Sequence, residues 1–521
     1  MRRFNVTGLC IPEEDYMVDV SGKIDQIKKM VDDRRYFTIN RPRQYGKTTL
    51  LSVLKRTLKD KYLVAFISFE ALGVEEFSSS RSFCAAFIKH VKKALQTTSA
   101  TKEFIDKWAN GNVSGFDSLS DHITYICENN KIVLIVDEVD KTSNNHVFLH
   151  FLSMLRSKFL SRKSSEDYTF HSVILAGVYD IKNIKLKMLQ EGAYIPAHSE
   201  SKVYNSPWNI AVDFRVDISF NSNEIASMLK EYEDDHNTKM CIAEISEEIY
   251  AFTSGYPFLV SRICQCIDEE LDKKWSIEGL ESAVKILLRE KNMLFDDLSK
   301  NLENNEKLYE LIYDILIVGK QRLYSINNPT VSLGAMYGII KESNRYISVS
   351  NKMFEMVICD YFISKDEENN RQITGVLQYD VVHNGRFDME LCLRKFAEHY
   401  VEIFNKHDVE FLERHGRLLF LSYLKPLVNG LGFYHIESQF TDLRRMDIVV
   451  DFGQQQFILE LKLWRGKKYQ EEAYKQLCSY LNSKHVDEGY MLTFDFRKQD
   501  YKTPKAEWIE LNGKRIFDVI V

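Results

Sequence analysis

The stretch NRPRQYGKTTLL, residues 40–51, ends like a phosphate-binding loop and begins unlike one. Gly46-Lys47-Thr48 supplies the end of the Gly-x-x-x-x-Gly-Lys-Ser/Thr pattern, but Arg41 stands where the first glycine belongs. Gly46 lets the backbone turn beneath a phosphate with no side chain in the way. Lys47 is placed to put a charge on the β- and γ-phosphates and Thr48 to offer its hydroxyl to Mg2+. Backbone N–H groups at the helix start, Thr49 included, are placed to bind phosphate oxygens. The first glycine mainly permits a tight turn out of the strand, and Pro42, with its preset φ, shapes a different one. Arg41 and Arg43 either add charge near the phosphates or remain solvated.

The flanks fit. YFTIN (36–40) is β-rich and TTLLSVLKRTLKD reads as a helix, the context such a loop requires. Further along, YLVAFISF (62–69), KIVLIVDEVD (131–140) and SVILAGV (172–178) read as strands. They alternate with helical RSFCAAFIKHVKKALQ (81–96) and HFLSMLRSKFL (150–160). Continuous apolar strands alternating with helices predict a parallel sheet covered on both faces. Asp137 and Glu138 fall at the C-terminal end of one such strand, where ligands sit in open α/β sheets. Asp137 is expected to hold Mg2+ and Glu138 to polarise an attacking water, although acids also end strands at solvent. Asp180 is a candidate γ-phosphate sensor. Arg156 and Arg162 lie where an inter-subunit arginine would project.

Helical sequences fill 222–291 and suit a lid. Residues 305–364 read as helices followed by a β-rich end, RYISVSNKMFEMVICDYF, as in a winged helix. SKDEENNRQ (364–372) is polar and reads as a linker. The expected division is a P-loop core at 1–220, a lid at 221–300, a winged-helix-like connector at 301–364, a linker at 365–378 and a C-terminal α/β domain at 379–521.

Composition excludes little but bounds the rest. A 45% hydrophobic, 28% charged chain of 521 residues has the make-up of ordinary globular domains. Net charge −6 does not advertise a polyanion partner. The cysteines lack zinc-ligand spacing, the N-terminal stretch lacks an apolar signal run, and no stretch approaches a membrane span. A cytoplasmic protein without a membrane partner is expected.

The last block holds a second constellation. In RRMDIVVDFGQQQFILELKLW, two strands flank a turn at Gly453, and Ile458, Glu460 and Lys462 alternate to one face. A carboxylate and an amine in an apolar strand are costly unless used or paired. With the turn at Gly453, Asp447 falls nearly opposite Glu460. Two carboxylates and a lysine on one sheet face form a Mg2+-dependent phosphodiester-cleaving site, with Lys462 orienting or deprotonating the metal-bound water. A structural ion pair is the plainer account.

INRPRQYGKTTLL, VLIVDEVDK, SVILAGVYDIKNIK, DFRVDISF and SGYPFLVSRIC together resemble the bacterial AAA-ATPase-like family, close to archaeal-type and signal-transduction P-loop ATPases. The resemblance covers about residues 5–290. It implies ATP binding, a tolerated arginine at position 41, and a lid whose Gly255-Tyr256-Pro257 senses nucleotide. Asp447-x12-Glu460-x-Lys462 resembles the PD-(D/E)XK nuclease superfamily over about 395–500. That resemblance implies a restriction-endonuclease-like fold and an acidic metal ligand from the first helix, Glu413, with Glu398 and Glu402 as alternatives. It also implies a Gln476-x-x-x-Tyr480 element that orients the site, and Arg444 and Arg445 as phosphate contacts. The joint expectation is an ATP-regulated, Mg2+-dependent nuclease acting on nucleic acid, DNA in the first place, with homo-oligomerisation open. The alternative is a nucleotide-dependent oligomeric switch or signalling ATPase whose C-terminal block only binds nucleic acid or a partner.

Overall fold

The computed structural model describes residues 2–111, 113–139, 146–178, 211–212, 214, 216–318, 320–369, 381–383, 385–404, 409–428, 432–437, 446–464, 466–495 and 504–521, with side chains undescribed at 366–369, 401–404, 409–415, 426, 433, 435–437 and 446–447. Two compact units result. One comprises Met1–Tyr250 and Gly255–Leu280, the other Ala251–Ser254 and Glu281–Val521.

In the first unit, α1 (Ser21–Asp32) precedes β1 (Tyr36–Asn40), which runs through the loop into α2 (Lys47–Leu58). Then come β2 (Leu63–Ser68), α3 (Ser80–Leu95), α4 (Lys102–Ala109), α5 (Phe116–Cys127), β3 (Ile132–Asp137), α6 (His146–Lys163) and β4 (Ser172–Gly177). All pairings are parallel and the order is β1-β4-β3-β2. Val212 adds a parallel bridge to Phe37 on the far side of β1. Every residue of β3 is buried, because alternate side chains enter two different cores. Ile132, Leu134 and Val136 pack with α3, α5 and α6, while Val133 and Ile135 pack with α1 and α2. The predicted doubly covered sheet is present. Helices α7 (Ser222–His236), α8 (Ile242–Thr253) and α9 (Pro257–Glu269) follow. Gly255 ends α8's run at φ +70 and Pro257 starts α9 at its first turn, where a missing N–H does no harm.

Helix α10 (Ile277–Arg289) leads into the second unit, which continues with α11 (Met293–Glu303), α12 (Glu306–Leu316), α13 (Pro329–Met336), the hairpin β5 (Ile340–Ser343) and β6 (Tyr346–Val349), and α14 (Lys352–Asn369). Leu323, between α12 and α13, makes a single antiparallel bridge to Tyr346 of the hairpin. Two expectations are corrected here. The run after Ser350 is helix, not β: Met353, Phe354, Ile358, Cys359, Phe362 and Ile363 are buried at helical spacing. The same helix continues through Asn369, so the described start of the expected linker is its polar final turns. Lys365 packs there over the Tyr309 ring at 4.4 Å.

A two-residue hairpin, β7 (Val382–His383) and β8 (Arg386–Phe387), precedes α15 (Met389–Phe404) and α16 (Val409–Val428). The six-stranded sheet follows: β9 (Gly432–Glu437), β10 (Met446–Phe452), β11 (Gln455–Leu463), β12 (Glu488–Phe494), β13 (Lys505–Leu511) and β14 (Lys514–Ile520), with α17 (Lys467–Ser483) between β11 and β12. Its order is β13-β14-β12-β11-β10-β9. The hairpin β10–β11 turns at Gly453 (φ +59). Ala473, Leu477, Cys478 and Leu481 of α17 cover Val449, Ile458, Met491 and Ile516. Buried Arg417 of α16 donates to the carbonyls of Val318 and Leu461, tying this sheet to the connector.

Candidate functional site

Gly46 caps α2 in the left-handed region (φ +72), which points the first N–H groups of the helix into the loop's mouth. Lys47 is buried. Its ammonium donates to the Arg41 carbonyl at 2.9 Å and the Pro42 carbonyl at 2.8 Å, so oxygens of the loop itself hold its charge. The Thr48 hydroxyl donates to Asp137 Oδ2 at 2.9 Å, and the Glu138 N–H to Asp137 Oδ1 at 2.9 Å. Asp137 is 2% exposed. Glu138 sits at φ +57, a conformation that non-glycine residues hold only when neighbours impose it. The structure therefore brings Lys47, Thr48, Asp137 and Glu138 to one end of the sheet. Thr48 and Asp137 converge as a hydroxyl and a carboxylate, a donor pair that fits Mg2+, which takes few protein oxygens and fills its octahedron with phosphates and water.

Arg41 is not a loose surface charge. Its guanidinium donates to the carbonyls of Asn40 and Val216, both at 2.8 Å, and lies over the Phe214 ring. It braces the loop's entry where a glycine would only have bent it. Arg43 is exposed, and its carbonyl accepts the Tyr256 hydroxyl at 2.6 Å. Arg162 does not project as an inter-subunit arginine. It donates to the carbonyls of Phe170, His171 and Arg34 and covers the Tyr36 ring, so it clamps the opposite end of the sheet. Asp180 lies outside the described residues.

Sequence reading missed what walls the site. The lid reaches the loop: Tyr256 packs edge-on against Tyr45 at 4.8 Å, and a Cβ on Gly46 would meet Pro257 at 3.7 Å. Gly255 approaches Phe220 so closely that a Cβ there would lie 1.7 Å from its carbonyl oxygen. The N-terminal segment joins both sides. The Cys10 N–H donates to Thr49 Oγ1, Arg2 pairs with Glu231 and Asp235 of α7, and the Asp19 N–H donates to Ser227. Between segment, loop and lid lies a cavity of about 160 Å³, walled by apolar residues such as Val6, Val18, Leu50, Val53, Ile218 and Met228. A signal for it existed in the Gly-x-Pro tripeptide, but its partners lie some two hundred residues away in sequence.

In the second unit the backbone register sets Asp447 opposite Glu460, as the turn position implied, and also opposite Glu437 on its other side. Three acids thus form one row across β9, β10 and β11. Glu460 and Lys462 are each 1% exposed. The Lys462 ammonium donates to the Tyr469 carbonyl and lies over that ring at 4.0 Å. Gln476 and Tyr480 are half-buried on α17. One turn or more upstream, an identically spaced pair faces the sheet. Gln470 donates to Tyr474 and to Thr493, Lys462's cross-strand partner, and the Tyr474 hydroxyl donates to Asp518 at 2.7 Å. Burial pushes the Asp518 carboxyl up to about 6. Glu398 is exposed and pairs with Lys395. The side chains of Glu413, Glu402 and Asp447, and residues Arg444 and Arg445, lie outside the description. Among the described residues no group of three or more His, Cys, Asp or Glu is gathered for a metal ion, and no helix is long and apolar enough to cross a membrane.

Residues 23–362 match a family model described as an AAA-like domain. No curated protein matches. Among solved structures, the chain is similar to a Walker-type ATPase of Pyrococcus abyssi at 13% identity and TM-score 0.46, over 68% of this chain and 99% of that one. It is also similar to the ORC2 protein of Aeropyrum pernix in ADPNP–ADP complexes, at 12% identity and TM-score 0.37, over 70% and 97%. The ORC1 protein of Aeropyrum pernix in complex with DNA aligns at 11% identity and TM-score 0.30, over 67% and 94%.

Proposed function

This chain belongs to the AAA-like domain family, and from that premise we propose that it is an ATP-binding switch in which nucleotide at the Gly46–Thr48 loop resets the lid. The observation that carries this is the double use of one loop. Its carbonyls at Arg41 and Pro42 hold Lys47, while its carbonyl at Arg43 holds Tyr256 of the lid. A triphosphate draws Lys47 off those carbonyls, and the loop cannot rearrange without altering the lid's anchor. Thr48 and Asp137 would hold the Mg2+ that accompanies ATP, and Glu138 is the residue placed to orient water. Homo-oligomerisation is the natural output, and the connector's hairpin, with exposed Arg345 at its tip, is a contact for nucleic acid, DNA foremost. Titration with a fluorescent ATP analogue and Mg2+, read with light scattering, tests this. Wild type binds and changes assembly state, and Lys47→Ala weakens binding at least about tenfold, as loss of a charged hydrogen bond requires. Equal binding by both proteins would overturn it.

A second reading concerns the other sheet. Acids directly opposite one another in antiparallel strands repel, and here Asp447 is flanked by Glu437 and Glu460. A shared divalent ion relieves that repulsion, and buried Lys462 stands two residues along. This supports metal-dependent phosphodiester cleavage, with Asp447 and Glu460 as ligands, Lys462 on the water, and Glu413 and Gln476 as its helper residues. Incubation with plasmid and single-stranded DNA plus Mg2+ decides it. Cleavage lost in Asp447→Ala and Lys462→Ala supports the reading, and no cleavage, or cleavage indifferent to both, leaves the partner-binding role.

A further inference from the structure

We propose that residues 2–16 form a latch beside the phosphate loop, carried by the lid, which sets how fast nucleotide enters and leaves. The inference rests on nucleotide binding at the Gly46–Thr48 loop and names what governs exchange there. The segment closes on itself. The Arg3 N–H donates to the Glu14 carbonyl at 3.0 Å and the Tyr16 N–H to the Arg3 carbonyl at 2.9 Å, so its two ends meet as in a compact surface loop. Within it, the buried Asp15 carboxylate accepts from the Asn5 amide at 3.1 Å and the Ile11 N–H at 2.8 Å, which holds the loop's shape. It is therefore built to move as one piece, hinged where residues 17–20 lead into α1. Val6, Gly8 and Cys10 of this segment line the same cavity as Gly46 and Thr49, so exchange on that side requires the segment to move.

Its two attachments are unequal. Toward the lid, Arg2 pairs with Glu231 at 2.5 Å and with Asp235 at 2.9 Å, and the Tyr16 hydroxyl donates to Asp235 at 2.9 Å. Beside them the buried Phe4 ring packs against Tyr16 at 5.0 Å, Tyr232 of α7 at 5.1 Å and Trp275 at 6.0 Å. Packed rings rimmed by charged hydrogen bonds make a firm anchor. Toward the core, the polar contacts described with α2 are lighter. The Cys10 N–H donates to Thr49 Oγ1 at 3.3 Å, and Glu13 pairs with Arg56 at 3.7 Å with both side chains exposed. The contact that yields first is the one over the phosphate-loop helix. Anchored, the segment swings clear only when the lid moves; with the anchor cut, it opens by itself.

The test measures association and dissociation rates of a fluorescent ATP analogue with Mg2+ by stopped flow, on wild type, Arg2→Ala and Asp235→Asn. Lys274→Ala, which loses an exposed ion pair with Glu278 away from the latch, is the control, and thermal melts confirm folding. Both rates are expected to rise by about fivefold or more in Arg2→Ala and Asp235→Asn, while their ratio, the dissociation constant, stays within about twofold. Lys274→Ala is expected to leave both rates in place. Rates unchanged in both latch variants would overturn the inference. So would faster dissociation at an unaltered association rate, which would make these residues holders of bound nucleotide, or an equal acceleration in Lys274→Ala, which would make the effect a general loosening. Wild type that binds no nucleotide is a different result, and contradicts the nucleotide site on which the latch rests.

Discussion

Gly255 and Gly453 both sit at positive φ, yet they do different jobs. A Cβ at Gly453 meets nothing within 4 Å, whereas at Gly255 it would enter the Phe220 carbonyl, which lies where the lid's turn is pinned by the Phe220 N–H to Gly255 O bond of 2.8 Å. Gly453→Ala is therefore expected to lower stability by about 1 kcal/mol, the left-handed penalty alone. Gly255→Ala should lower it by more than about 2 kcal/mol and weaken nucleotide binding as well. Urea midpoints for the two variants measure the contrast, and equal losses would show that the close approach carries no strain. At this scale the sequence was informative where chemistry is local. Thr48 and Asp137, picked out from separate stretches of sequence, are joined by a hydrogen bond. Arg41 was ambiguous because its partners, the Val216 carbonyl and the Phe214 ring, lie 175 residues or so downstream and leave no pattern beside it.

Helix α17 and its sheet form the element whose polarity is least ordinary. Leu481 enters the close approach made by Gly489, where a Cβ would come within 2.7 Å of it, and Leu481→Ala should cost about 2–5 kcal/mol of second-unit stability by leaving a cavity. Beside that apolar seam, Asp518 is buried with only Tyr474 donating to it in the described hydrogen bonds. Burial raises its folded pKa from 3.8 to about 6. The stabilisation linked to that shift is complete below the unfolded value and is lost as pH rises through the folded one. Asp518→Asn should accordingly gain on wild type between pH 4 and pH 7, by up to about 2–3 kcal/mol. Denaturation midpoints across that range check it, and a difference independent of pH would contradict the burial. Elements were legible when their periodicity was clean, as in β3 and in the β10–β11 register. Helix α14 was misread because its Met, Phe, Ile and Tyr content suggests strand, although its buried positions keep helical spacing. The strands β9, β13 and β14 were unread, since half-exposed strands such as β13 carry little apolar signal of their own.

Over the whole molecule, the match to the AAA-like family ends at residue 362, so the six-stranded sheet has only its own geometry to speak for it. The two units give a direct expectation. A ligand that binds one folded unit stabilises that unit by mass action, by about 2.7 kcal/mol at a hundredfold excess over its dissociation constant. In calorimetry, Mg-ATP should raise the transition of the first unit in wild type but not in Lys47→Ala, and should leave that of the second unit in place in both proteins. A uniform shift of both transitions would assign nucleotide to a different location. The parallel sheet itself was recoverable from apolar runs and loop chemistry, but the order of its strands, β1-β4-β3-β2, was not. The lid's hold on the phosphate loop was not, because it depends on a tyrosine hydroxyl meeting a backbone carbonyl across 213 positions. That hold is the centre of the account, and amide hydrogen exchange with and without Mg-ATP tests it most directly. Residues 41–49 and 255–258 should change protection together in wild type and in neither place in Lys47→Ala. Protection confined to the loop, with the Gly255–Phe258 amides unaltered at saturating nucleotide, would contradict it.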